Sequence, residues 1–147
     1  MHSESSVEPI RVLVVDHNRI LRDGICVLIG MQPDLELVGS VAAADDAIRL
    51  FDQERPDVTL MDLDLPSSLG VTAICRIREI DPVASVIALA TYEWDDCSPR
   101  ALAAGASNVL GKDQIGEMLL PMIRAGRHNR RRYIQVVHEN LLHVPTE

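Results

Sequence analysis

Five short apolar runs, each followed by a stretch of helical spacing, leave this chain few folds to choose from. Ile10 to Val15 has no polar interruption beyond Arg11, and Leu35 to Val41 follows as a second run. Val58 to Met61, Val86 to Ala90 and Asn108 to Leu110 complete the series. Runs without alternating polarity suit parallel strands that helices cover on both faces. With right-handed crossovers, the order predicts an α/β fold: a doubly wound, five-stranded parallel sheet.

The intervening segments carry helix signals. Leu21, Ile25, Leu28 and Ile29 recur at helical spacing until Gln32-Pro33-Asp34 ends the pattern. Asp45 is placed to cap a helix that turns Ala47, Ile48, Leu50 and Phe51 inward and stops at Pro56. Val71, Ile74, Ile77 and Ile80 make the inner face of a third helix, which ends at Asp81-Pro82. Ser98-Pro99 reads as an N-cap with proline at the first helical position, and Gly105 suits the far end of that short helix. A last helix is expected over 114–127, with Pro121 kinking or splitting it at a cost of about 3 kcal/mol.

The 147 residues suffice for one domain. The expected organisation is a disordered polar tail over 1–9, the domain over 10–127, and a linker-like helical tail over 128–147 without a DNA-binding domain in this chain. A net charge of −8 argues against bulk attraction to nucleic acid or anionic membrane. No apolar run is long enough to span a membrane and no signal peptide is recognised, so a cytoplasmic location is expected. Cys26, Cys75 and Cys97 lack metal-binding spacing and read as buried or half-buried thiols. Arg127 and Arg130 to Arg132 form a basic patch, read either as phosphate contacts to nucleic acid or as a solvated linker.

Three runs end on charge. Asp16 follows the first, Asp62 the third and Lys112 the fifth. If those strands lie side by side, two carboxylates and an ammonium converge at the carboxyl edge of one sheet, where open α/β folds bind ligands. Such a cluster can hold a divalent cation and make one aspartate a phosphoryl acceptor.

With their spacing, the segments VLVVDHNRILRDGI, RPDVTLMDLDLP and AGASNVLGKD resemble a bacterial response-regulator receiver domain. The likeness covers about residues 10–127 and is strongest to receivers of LuxR/NarL-type transcription factors. It implies that Asp62 takes a phosphoryl group from a sensor histidine kinase in a two-component phosphorelay. It also implies a magnesium ion on Asp62, on an acidic pair at Asp16 and His17, and on the backbone carbonyl of Asp64. Lys112 would contact the phosphoryl oxygens. A homodimer through the fourth and fifth helices, and DNA binding only through an output domain absent from this chain, are further expectations.

Two positions depart from the family pattern. The second member of the acidic pair is His17, and imidazole suits zinc, copper or nickel better than magnesium, so weakened magnesium binding is expected. Two alternatives are a transition metal on Asp16, His17 and Asp62, and an exposed His17 bound to nothing. The second departure is Ala90, which stands where the family carries a switching Ser or Thr hydroxyl. Thr91 is next door, but strand alternation points it to the opposite face unless the strand end bulges. Val109 replaces the aromatic partner of the switch. One hydrogen bond to a charged group contributes about 1.5–3 kcal/mol. Driving a two-state switch takes about 5.5 kcal/mol, so losing that bond forfeits a quarter to a half of the drive.

Two rivals follow. One is an atypical, phosphorylation-independent receiver that works as a protein-interaction or ligand-sensing module. The other is a haloacid-dehalogenase-like phosphatase, since Asp62-Leu63-Asp64 matches its D-x-D motif; Leu65-Pro66 follows here where such enzymes carry Gly-Thr.

Overall fold

The computed structural model describes residues 8–91 and 96–126. Its strands are β1 (Ile10–Val15), β2 (Leu35–Val41), β3 (Val58–Asp62), β4 (Ser85–Ala90) and β5 (Asn108–Gly111). All pair in parallel, in the order β2-β1-β3-β4-β5. The helices are α1 (Arg19–Gly30), α2 (Ala44–Glu54), α3 (Leu69–Ile80), α4 (Ser98–Ala104) and α5 over residues 115–126.

Period-two alternation along the strands divides the core into two layers. Leu13 and Val15 of β1 pack with Met61 and Ala88 against Phe51, Ile74, Ile77 and Ala101 of α2, α3 and α4. Val12 and Val14 face the other way, with Leu60, Leu89 and Leu110 against Ile25 and Ile29 of α1 and Leu119 and Ile123 of α5. Every residue of β3 and β4 is buried, which explains their unbroken apolar patterns. The chain winds outward from β1 in both directions, so the crevice between the carboxyl ends of β1 and β3 is the topological switch point.

Several local expectations need correction. The three charged strand ends do converge, but their strands are not adjacent, because β4 lies between β3 and β5. Asp45 sits inside the first turn of α2 rather than at its cap; Ala43 holds the cap position, and Asp45 and Asp46 complement the positive end of the helix dipole. Cys97 occupies the cap position of α4, which moves Ser98 and Pro99 one place further into the helix. Cys75 is exposed, whereas Cys26 and Cys97 are half-buried, and none forms a disulfide. The helix over 115–126 is not split at Pro121. Both Pro121 and Glu117, whose carbonyl lies one turn back, are on the exposed side, where water can take the freed acceptor. The basic patch and helical tail lie outside the described residues, as does the expected tail up to residue 7.

Gly70 ties the third helix to the end of β3. A Cβ there would stand 2.3 Å from the carbonyl oxygen of Asp62. Just before it, Ser67 and Ser68 both adopt left-handed backbone at φ 58°, a conformation costly for residues with a side chain. Gly24, on the exposed face of α1, has nothing within 4 Å of an added Cβ. Gly70→Ala should therefore destabilise the fold by about 1–3 kcal/mol through overpacking. Gly24→Ala should stabilise it by roughly 0.5–1 kcal/mol through helix propensity. Urea unfolding of the two variants checks this opposition of sign.

Candidate functional site

Asp16 and Asp62 sit at the carboxyl ends of β1 and β3 and are fully buried. Lys112, just past β5, reaches both: its Nζ lies 2.9 Å from Asp62 Oδ1 and 3.3 Å from Asp16 Oδ2. The same ammonium lies 3.3 Å from Asp64 Oδ2. Ala90 and Gly111, paired at the ends of β4 and β5, put little bulk between Lys112 and the aspartates.

Backbone donors fix the carboxylates. Asn18 N–H donates to Asp16 Oδ1 at 2.8 Å, and Asp64 N–H donates to Asp62 Oδ1 at 2.8 Å. Asn18 also caps α1, accepting from Leu21 N–H at 3.2 Å. Arg22, one turn into α1, donates to the Asp16 carbonyl at 2.7 Å. The loop after β1 is thus pinned from both sides, and His17 is held at the rim.

His17 is not bound to nothing. Its Nδ1 lies 2.6 Å from Asp62 Oδ2, and its backbone N–H donates to the same oxygen at 3.3 Å. Against an ionised Asp62, Nδ1 carries the proton and donates it. The imidazole remains 47% exposed, so it covers Oδ2 from the solvent side without being locked in place.

The electrostatics divide the two aspartates. Burial works to raise Asp62, but hydrogen bonds from His17, Lys112 and the Asp64 amide outweigh it and hold the carboxyl below its ordinary range. For Asp16, burial prevails over the Asn18 hydrogen bond, and the charge of Asp62 adds to it, so Asp16 is pushed up. Burial would lower Lys112, yet its hydrogen bond to Asp62 and the charges of all three aspartates raise it. At neutral pH the pocket therefore contains an ionised Asp62 carboxylate beside a firmly protonated Lys112 ammonium.

The remaining sequence candidates fall around this centre. Ala90 ends β4, is fully buried, and offers no hydroxyl. Thr91 lies beyond the last strand pair and escapes the alternation that would point it away; its hydroxyl donates to Asp64 Oδ2. It therefore belongs to the pocket, one carboxylate removed from Lys112. Val109 is half-buried, paired with Ala88 across β4 and β5.

Asp16, His17 and Asp62 each offer a ligand atom, all within 4.8 Å of one another, as a divalent cation requires. Asp16 Oδ2 is buried and makes no hydrogen bond, which suits a cation-binding role. A nitrogen stands at the His17 position where magnesium takes oxygen, while Asp16 and Asp62 offer the oxygen ligands that ion prefers.

The fold and this pocket are those of a receiver domain, and matches to known proteins agree. The family model described as the response regulator receiver domain matches residues 12–124, and the chain belongs to that family. It is 31% identical over 116 residues to the nitrate/nitrite response regulator protein NarL of Escherichia coli K12, covering 79% of this chain and 54% of that protein. It is 32% identical over 118 residues to the uncharacterized transcriptional regulatory protein YxjL of Bacillus subtilis, covering 80% of this chain and 54% of YxjL. The chain thus spans about half the length of these curated relatives, which are mostly transcriptional regulators. Among solved structures, a LuxR-family two-component response regulator from Aurantimonas sp. SI85-9A1 superposes with a TM-score of 0.77 at 31% identity, over 84% of this chain and 88% of that one. The chain is accordingly a receiver of the NarL/LuxR type. No helix among the described residues is long and apolar enough to cross a membrane.

The opposed shifts predict how stability depends on pH. Asp62, depressed on folding, stabilises the protein above the ordinary carboxylate range and loses that contribution as pH falls through its lowered pKa. Asp16, raised on folding, favours the fold only while protonated and opposes it as pH rises through its raised pKa. Asp16→Asn keeps the acceptor for Asn18 N–H and removes a buried charge that shares the Lys112 ammonium with Asp62 and Asp64. It should stabilise the protein by roughly 0.5–2 kcal/mol at neutral pH. The gain should shrink as pH drops below the raised pKa of Asp16, where the wild-type side chain is already neutral. Denaturant unfolding across a pH series measures this difference.

Proposed function

We propose that this chain is the receiver module of a two-component transcriptional regulator and that Asp62 accepts a phosphoryl group from a partner histidine kinase. The observation that carries the reading is the asymmetric treatment of the two Asp62 oxygens. Oδ1 is committed to Lys112 and to the Asp64 amide. Among the described residues, Oδ2 meets His17 alone, through a long backbone contact at 3.3 Å and a half-exposed imidazole that can rotate away. Oδ2 is then the nucleophile: its bond to phosphorus forms as the donor's nitrogen–phosphorus bond breaks, leaving an acyl phosphate on Asp62 and an imidazole on the kinase. Lys112 stands beside the phosphoryl oxygens, where negative charge concentrates during transfer.

The kinase needs a surface next to this pocket, and α1 offers one. Ile20, Val27 and Met31 are 86%, 63% and 72% exposed along that helix, which begins two residues after His17. Large exposed apolar side chains grouped in this way suit a partner helix. The face of α4, β5 and α5 is the expected homodimer surface. The NarL/LuxR relatives extend beyond the matched region, so DNA is contacted through an output domain rather than by the receiver. Three thiols and a kinase partner both suit the cytoplasm. A phosphatase reading is disfavoured because Asp64, its required acid/base, is engaged with Lys112 and with the Thr91 hydroxyl.

The chemistry of acceptance and the strength of the switch are separate matters. The acceptor and its ammonium are in place, whereas Ala90 gives the phosphoryl group no hydroxyl to pull. The expected result is a receiver that takes phosphate on Asp62 and responds weakly.

Incubation with a small phosphodonor and a divalent cation should give one phosphoryl adduct by intact mass, absent in Asp62→Asn. An adduct that survives in that variant would reject the assignment. Ala90→Thr should leave the adduct intact and enlarge the phosphodonor-induced NMR shifts of α4 and β5. A recovered charge-assisted hydrogen bond of about 1.5 kcal/mol corresponds to a roughly tenfold shift in population toward the switched state. An unchanged response in Ala90→Thr would show that the hydroxyl position does not limit the switch.

A further inference from the structure

We propose that Asp16, His17 and Asp62 form a mixed carboxylate–imidazole site that takes a borderline divalent transition-metal ion of the zinc class in preference to magnesium. This names the cation of the acceptor pocket described above, but it does not depend on whether Asp62 accepts phosphate.

Three observations carry it. The first is geometric. His17 Nδ1 stands 2.6 Å from Asp62 Oδ2 and 3.9 Å from Asp16 Oδ1. Ligand bonds of about 2.0–2.2 Å from nitrogen and oxygen place neighbouring donors roughly 3–3.5 Å apart in a tetrahedral set. The imidazole needs to move back by less than about 1 Å to open the His17–Asp62 contact to that spacing. Its exposure permits that, while the backbone on either side stays pinned by Asn18 and Arg22.

The second is the orphaned oxygen. Asp16 is fully buried and Oδ2 makes no hydrogen bond; the Lys112 ammonium, 3.3 Å away, is shared with Asp62 and Asp64. A buried carboxylate oxygen in this state is costly. Asp16, Asp62 and Asp64 together bring three negative charges against one ammonium, so the pocket holds an excess charge that a dication neutralises.

The third is the chemistry of the donors. Imidazole is a poor partner for magnesium, which keeps an all-oxygen octahedral shell. Two carboxylates and one imidazole offer three ligands of kinds that zinc accepts, and the half-exposed His17 leaves that side accessible to a further ligand from solvent. The ring points Nδ1 inward at the acceptor oxygen, so its lone pair can turn to a metal once the proton is displaced.

Zinc outcompetes magnesium at many protein sites, so the test rests on dependence on His17. The full chain is titrated calorimetrically with zinc, nickel and magnesium chlorides, without phosphodonor. Cobalt(II) absorption serves as a separate readout of the coordinating atoms. His17→Ala should weaken zinc and cobalt binding at this site by roughly tenfold or more, with magnesium changed by less than about threefold. His17→Asp should reverse the order, raising magnesium affinity by roughly tenfold or more. Asp16→Asn should weaken every ion. His17→Gln serves as a second variant if circular dichroism finds the alanine form unfolded. Zinc binding and a cobalt spectrum unchanged without His17 would place those ions on the other histidines or the cysteines and overturn the proposal. Magnesium affinity unaltered by His17→Asp would overturn it too. Loss of the phosphoryl adduct with the His17-dependent metal preference intact would sink the acceptor reading and leave this one standing.

Discussion

One ammonium holds the carboxyl edge of this sheet together. Two fully buried carboxylates cannot both stay ionised unless positive charge is supplied among them. Lys112 does this from the end of β5, reaching across β4 to the ends of β1 and β3. The reach depends on the small residues at the ends of β4 and β5, and on the parallel winding that brings every carboxyl end to one side. Fold and site are therefore a single construction. The strand order creates the crevice, and the crevice collects the charges that need one another.

The same residues explain how much of this could be read from the chain. Strands buried on both faces write continuous apolar runs, so β1, β3 and β4 were legible, and with β1 and β3 the aspartates at their ends. Helix starts were legible only to within a residue. Short polar side chains serve both at the cap and inside the first turn, so Asp45 and Ser98 each satisfy two positions. Cys75 was misread as sheltered because a cysteine beside apolar neighbours does not reveal the phase of its helix. Nothing in the sequence says which way a histidine turns. That His17 bends back onto Asp62, rather than out into water, follows from the Asp16-His17-Asn18 loop being held by hydrogen bonds at either end. That is a property of the folded loop alone.

Thr91 was misplaced for a more instructive reason. Alternation along a strand is a rule about paired residues, and it lapses one residue after the last pair. β4 pairs through Ala90 with Gly111 and then stops. Thr91 is free of the pleat, and its hydroxyl turns to Asp64. The pair Ala90-Thr91 therefore does not delete a hydroxyl from the pocket; it moves it one residue along the chain and one carboxylate away from the acceptor.

That displacement changes what the loop after β4 can sense. A hydroxyl at position 90 would bond the phosphoryl group itself and feel its full charge. From position 91 it bonds Asp64, which in turn meets Lys112 at 3.3 Å. On the proposed function, a Lys112 drawn toward phosphate on Asp62 would leave Asp64 with less counter-charge and make it a better acceptor for Thr91. Phosphorylation is then felt at the loop only as a change in the strength of a bond that already exists. The difference between the two states becomes a fraction of a hydrogen bond rather than a whole one, small against the several kcal/mol a decisive switch needs. The pocket keeps the charges that suit Asp62 to the proposed acceptor role while setting the nearest hydroxyl one carboxylate away, so on that proposal acceptance and response are governed by different residues.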